Sequence, residues 1–200
     1  MSEHYFTATP KSESNEKKFS EQFMGKKFEF IYDTSVFSKG RIDKGSALLV
    51  KSFVENNSKN RQKAQVLDLG CGYGFISVAI SCFLEVSMTS VDINSRAVSL
   101  CKKNCEKNNV YSNCIQSDGF KNINSNFDYI LVNPPIRAGK NVVYTILKDC
   151  HKHLNAEGEL WVVIRVKQGA KSLKKYLQSF FSQVDTIDKK GGFHILKCEK

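Results

Sequence analysis

The sequence predicts an α/β fold: a doubly wound, mostly parallel sheet of seven strands, with helices on both faces and an antiparallel hairpin at its C-terminal end. Three observations predict it. From residue 64 onward, short apolar runs alternate with longer stretches at helical spacing. Runs such as "QVLDLG" and "FDYILVN" read as buried strands, as parallel strands covered on both faces do. The last two runs, "QVDTID" and "FHILKCE", are joined by "KKGG", a hairpin signal.

The elements follow in order. Residues 1–25 form a polar N-terminal segment, expected to be loosely ordered apart from Tyr5 and Phe6. Residues 26–200 are expected to form one domain, in which residues 26–63 add a strand and a helix that cover the site. In that extension "KKFEFIYDT" alternates Phe28, Phe30 and Tyr32 with polar neighbours, and "DKGSALLVKSFVEN", from Asp43, places Leu48, Leu49, Phe53 and Val54 at helical spacing. The regular part then reads strand "QVLDLG", helix "GFISVAISCFL", strand "VSMTSVDI" and helix "SRAVSLCKKNCEKN". It continues with strands "NCIQS" and "FDYILVN", helix "GKNVVYTILKDCHKHL", strand "GELWVVIRV" and helix "AKSLKKYLQSFF", and closes with the hairpin. There is no internal repeat.

Composition narrows the function classes. Of 200 residues 41% are hydrophobic and 25% charged, ordinary for a globular protein. No apolar run approaches the roughly 20 residues that cross a bilayer, and the polar N-terminus lacks the apolar centre of a secretory signal. A cytoplasmic protein with no membrane association, acting as a monomer, is the expectation. The seven cysteines include no CxxC pair, so Cys101 and Cys105 read as reduced, partly buried thiols, and no metal site is expected. The net charge of +10 is uneven: residues 1–63 carry 12 basic and 8 acidic side chains, 64–136 carry 5 and 6, and 137–200 carry 13 and 6. Basic flanks favour a polyanionic partner, RNA foremost.

The chemistry-bearing residues fall at strand ends on one rim of the sheet, where ligands bind in such folds. "VLDLGCGYG" places Gly70, Gly72 and Gly74 between a strand and a helix, where glycine lets backbone approach a ligand closely. The preceding acid, Asp68, would repel a pyrophosphate but suits a ligand with an amino group. Asp92 ends the next strand, 22 residues after Gly70, where an acid accepts the hydroxyls of a ribose. Asp118, in "SDGF", could accept a hydrogen bond from an adenine amine. Adenine, ribose and an amine with no required phosphate describe S-adenosylmethionine. The fourth strand of the regular part stops at "NPPIRAGK". An exocyclic amine on a base is a poor nucleophile while its lone pair is delocalised. Two acceptors, one per N–H, can localise that lone pair and aim it at a methyl group. The Asn133 side-chain carbonyl and the Pro134 backbone carbonyl can serve as that pair, with Pro135 fixing the conformation of Pro134.

On these residues the chain resembles the class I S-adenosylmethionine-dependent methyltransferases, with their Rossmann-like fold, over about residues 43–200. The resemblance implies that Gly70–Gly74 binds the methionine portion, that Asp92 takes the ribose and Asp118 the adenine amine, and that Asp68, Cys71, Ile93, Gly119 and Asn133 complete the cofactor site. Asn133, Pro134, Pro135 and Ile136 resemble the (N/D)PP(Y/F/W) catalytic signature of amino-group methyltransferases, with Ile136 replacing the usual aromatic residue. Phe37 is the candidate aromatic substitute. "SVFSKGRIDKGSALLVKSF" together with "NPPIRAGK" further resembles the catalytic half of the ribosomal RNA small subunit methyltransferase C family, which implies guanine N2 in small-subunit rRNA as target. Arg137 and Lys140 are then placed to hold a phosphate near the base. The run Lys167–Tyr176 reads equally as RNA surface or as the wet face of a helix. His151, His153 and His194 read as structural or solvated. The competing readings are a protein glutamine N-methyltransferase of release-factor type and a non-catalytic RNA-binding protein on a methyltransferase fold.

Overall fold

A computed structural model describes residues 13–33, 40–58 and 63–200. Seven strands form one sheet in the order β5-β4-β3-β6-β7-β9-β8. They are β3 (Ala64–Leu69), β4 (Val86–Asp92), β5 (Asn113–Gln116), β6 (Phe127–Val132), β7 (Leu154–Arg165), β8 (Gln183–Lys190) and β9 (Phe193–Glu199). β3 to β7 pair in parallel, and β9 alone runs against its neighbours, inserted between β7 and β8. His194 therefore lies in an interior strand of the sheet.

The sheet is covered on both faces because each strand sends alternate side chains to opposite sides. Val66, Leu131, Trp161 and Val163 pack under α1 (Lys44–Asn57), α2 (Phe75–Phe83) and α3 (Ser95–Lys107). Leu67, Leu69, Ile130, Val132, Val162 and Ile164 pack under α4 (Lys140–Lys152) and α5 (Ala170–Leu177). α1 starts at Asp43, whose carboxylate accepts a hydrogen bond from the Ser46 amide at 2.9 Å, and α3 starts at Asn94, which caps the Arg96 and Ala97 amides. In α5 the buried residues Ala170, Leu173 and Leu177 recur at helical spacing, Lys171 and Lys175 lie exposed on the opposite face, and Lys174 is half-buried and donates to Thr186 Oγ1 at 3.3 Å.

The N-terminal segment departs from the expectation of loose order. Residues Glu16–Phe23 form β1, which pairs antiparallel with β2 (Lys26–Asp33) in a separate two-stranded sheet. Met24 and Gly25 both take positive φ, +48° and +81°, as a two-residue hairpin turn requires. Phe19 lies 5.4 Å from the Phe30 ring and Phe23 lies 5.3 Å from Phe75, so two aromatics anchor an otherwise polar strand. Among the described residues, the other edge of β2 meets no strand. There Asn104 of α3, fully buried, accepts from the Ile31 amide at 2.7 Å and donates to the Ile31 carbonyl at 2.8 Å. Its second amide proton goes to the Tyr73 carbonyl at 2.7 Å. One turn on, Asn108 pairs with both backbone groups of Glu29. Two amide side chains thus replace a neighbouring strand and tie the hairpin to the glycine loop.

Candidate active site

The ends of β4, β3 and β6 lie side by side at the carboxyl rim and open into a cavity of about 240 Å³. Its wall includes Gly70, Cys71 and Gly72 after β3, Asp92 and Ile93 after β4, Ser117, Asp118 and Gly119 after β5, and Asn133, Pro134 and Pro135 after β6. Most residues expected to bind a cofactor are therefore brought to one surface.

The glycine loop wraps over the end of β4. The amides of Gly70 and Cys71 both donate to the Val91 carbonyl at 2.8 and 2.9 Å, Gly72 N donates to Asp92 Oδ2 at 2.9 Å, and Gly74 N donates to Cys71 O at 2.9 Å. With these four amides already engaged the loop is not a phosphate cradle, which fits a ligand without phosphate at this end. Gly70 needs to be glycine because its φ is +81°. Gly74 serves packing: a Cβ there would lie 2.7 Å from the Cys101 sulfur, and the residue stands behind the cavity wall.

Asp92 accepts from Gly72 N through Oδ2 and from Asn94 N through Oδ1, which fixes its carboxyl plane and leaves further lone pairs toward the cavity. Burial raises its pKa above the ordinary carboxylate value, opposed by those amide hydrogen bonds. Asp118 is at the wall, but its carboxylate also pairs with Lys121. Asp68 is a correction. It is fully buried and absent from the wall, because it shares a strand face with Val66 and points beneath α2. Asp68 Oδ2 accepts from the Ser77 hydroxyl at 2.6 Å and the Ser77 amide at 3.2 Å, and Ser90 and Ser112 extend this hydroxyl chain. Burial pushes its pKa up to about 7 against the opposing Ser77 bonds. Asp68 fixes the start of α2 from behind the cavity wall.

The Asn-Pro-Pro loop is built by backbone restriction. Pro135 sits at φ −75° and ψ 75°, an inverse γ-turn, and the Pro134 carbonyl accepts from Ile136 N at 2.9 Å. That carbonyl was expected to be an open acceptor. It retains one lone pair for a ligand. The turn also redirects Ile136. The side chain packs against the α4–α5 core and lines a second groove with Lys140, Tyr144 and Leu173, away from the cavity. Ile136 is therefore not placed to stack on a target base in this arrangement. Lys140 sits over the Tyr144 ring at 5.1 Å in that same groove, and Arg137 is exposed at the rim. Phe37 lies outside the described residues.

Asn133 is held from a direction that sequence reasoning missed. Its Nδ2 donates to Ser46 Oγ, in the first turn of α1, at 2.9 Å and to Asp43 Oδ2, the cap of that helix, at 3.2 Å, and both residues are on the cavity wall. Val142 and Ile146 of α4 give the cavity an apolar side. Of the histidines, His153 stacks on Phe120 at 4.2 Å and His151 meets Phe181 edge-on at 4.9 Å. The cysteines are free thiols, and the sulfurs of Cys101, Cys105 and Cys114 lie within 4.8 Å of one another behind the glycine loop. Among the described residues no helix is long and apolar enough to cross a membrane.

Comparison with known proteins fits this geometry. The family model described as methyltransferase small domain matches residues 27–197. The Bacillus subtilis protein YbxB, described as uncharacterized, is 43% identical over the full length of both chains. Ribosomal RNA small subunit methyltransferase C of Actinobacillus pleuropneumoniae is 30% identical over 89% of this chain and 51% of its own, so the chain spans about half the length of that relative. The solved structure of the Thermus thermophilus 16S rRNA N2 G1207 methyltransferase RsmC, in complex with AdoMet and guanosine, superposes with a TM-score of 0.85 at 25% identity, over 96% of this chain and 52% of that one. The chain belongs to the methyltransferase small domain family and carries its class I, S-adenosylmethionine-dependent methyltransferase fold.

Proposed function

We propose that the chain methylates the exocyclic N2 amine of a guanine in small-subunit rRNA, acting as a cytoplasmic monomer with S-adenosylmethionine and no metal ion. The observation that carries the reading is that Asn133 and Pro134 line the same cavity as the glycine loop and Asp92. In this reading Asn133 Oδ1 and the remaining lone pair of the Pro134 carbonyl are the two acceptors for a planar amine, and Asp92 is the carboxylate for the nucleoside of the methyl donor. The likeness to the rRNA methyltransferases and the basic flanks favour RNA over a protein amide.

When bound, S-adenosylmethionine supplies an electrophilic methyl group on a positively charged sulfur. Asp92 would hold the ribose hydroxyls, and Ile93 with Ser117–Gly119 would enclose the adenine, as the wall they form allows. Asn133 Oδ1 and Pro134 O accept the two N–H groups of the target amine and turn its lone pair toward the methyl group. In the transfer the nitrogen lone pair would form the new N–C bond as the C–S bond breaks with its electron pair staying on sulfur, and the extra proton would then pass from the nitrogen to water. The side chains contribute positioning and preorganised electrostatics, not strong base catalysis.

The test is single-turnover methylation of RNA with nucleosides identified by mass. N2-methylguanosine is expected, and Asn133→Ala should fall about 10²–10³-fold in rate while cofactor affinity stays within a few-fold. Normal turnover by that variant would sink the mechanism. N6-methyladenosine would keep the reaction and overturn the target, and methylation of a protein glutamine alone would replace RNA as substrate.

A further inference from the structure

We infer that Asp43 and Ser46 are positioning residues that choose which end of the Asn133 amide faces the methyl acceptor. This rests on the proposed amine-methylating role of Asn133. A side-chain amide has two nearly isosteric orientations. One presents a carbonyl to the incoming amine. The other presents an NH₂ group, which meets the amine donor to donor and cannot localise its lone pair. A free Asn at a strand end would populate both.

Here the choice is built into the start of α1. Asp43 Oδ2 already accepts from the Ser46 amide at 2.9 Å and from the Ser46 hydroxyl at 3.3 Å, and it accepts from Asn133 Nδ2 at 3.2 Å. An ionised carboxylate can only accept, so turning Oδ1 toward it would set two acceptors against each other. Ser46 Oγ, with its own proton directed at Asp43, offers a lone pair and takes the second Nδ2 proton at 2.9 Å. Both amide protons are thereby committed, and Oδ1 is the one polar atom of the side chain without a hydrogen bond among the described residues. The clamp is rigid because Leu48, Leu49 and Phe53 bury α1 on the sheet. One carboxylate oxygen thus caps a helix and orients an amide 90 residues away in the chain.

The variants separate capping from orientation. Asp43→Ser keeps a good N-cap residue but is too short to reach Asn133. Asp43→Asn keeps an acceptor at full reach. Ser46→Ala removes one arm and leaves the cap carboxylate in place. Asp43→Ser should lower kcat about 10–30-fold with KM for the cofactor within about twofold, Ser46→Ala by several-fold, and Asp43→Asn should recover to within a few-fold of the parent. In an Asn133→Ala background Asp43→Ser should cost less than about twofold further, because its route of action is gone. Equal losses in both backgrounds would overturn the inference, as would an unchanged kcat in Asp43→Ser. A second readout needs no activity. The side-chain amide signals of Asn133 in a ¹⁵N–¹H spectrum, assigned by their absence in Asn133→Ala, should move in Asp43→Ser and return in Asp43→Asn. Signals that ignore Asp43→Ser refute the positioning. Signals that respond in a protein that transfers no methyl group uphold the positioning and refute the proposed function alone.

Discussion

Replacing Asn104 by alanine should cost about 4 kcal/mol of stability, a large loss for a substitution that creates only a small cavity. The magnitude follows from three hydrogen bonds. Two, to the amide and carbonyl of Ile31, are only partly buried, so water can re-solvate those groups and the net loss is about 1 kcal/mol each. The third, from Asn104 Nδ2 to the Tyr73 carbonyl in the buried glycine loop, is fully buried, and losing a buried hydrogen bond costs about 1–3 kcal/mol. For a chain of 200 residues this corresponds to a fall in Tm of about 8–16 °C. Asn108→Ala is the control. It makes the same kind of pairing one turn later, with Glu29, but in exposed surroundings, and should cost about 1 kcal/mol or less. Paired urea and thermal unfolding curves measure both variants. Equal effects, or an Asn104→Ala loss below 1 kcal/mol, would refute the view that this amide is the buried tie between hairpin and glycine loop.

Asp92→Ala should weaken S-adenosylmethionine binding about tenfold or more by calorimetry, and unchanged affinity would contradict the ribose assignment. Asp68 should make the fold pH-sensitive: its folded pKa near 7 lies above the ordinary 3.8, so the folded chain holds that proton more tightly. The wild type should therefore lose stability relative to Asp68→Asn as pH rises from about 4 to about 7. A difference that stays flat across that window would show the buried carboxyl to be unperturbed. RNA binding should weaken steeply between low and physiological salt if several phosphates are contacted, while cofactor binding should not, and a flat RNA profile would argue against the basic flanks as contacts.

Much of residues 64–200 was legible because apolar periodicity and glycine punctuation there agree with each other. The rim was legible for a related reason: topology alone carries the ends of β3, β4 and β6 to one place. What stayed hidden was set by side-chain direction and distant pairing. Asp68 looked like a ligand residue from its position before the glycines, yet strand alternation puts it on the face of Val66, beneath a helix. Ile136 follows the prolines in sequence, but an inverse γ-turn swings it into a different groove. β1 was missed because only Phe19 and Phe23 break a polar run, and its turn carries a methionine at positive φ where glycine or asparagine is the usual signal. No spacing rule pairs Asn133 with Asp43 and Ser46, since the chain between them spans most of the sheet.

The insertion of β9 between β7 and β8 bears on how the chain is made. Residues 193–199 supply Ile195, Leu196 and Cys198 to the interior, and until they have been synthesised β7 and β8 have no strand between them. A nascent chain that already contains β3 to β8 therefore exposes a long apolar edge along β7, the kind of edge that invites pairing with another molecule. Closure of the sheet therefore waits on β9, the last of the described strands in chain order. The interval before its emergence is when this chain most needs shielding from its neighbours.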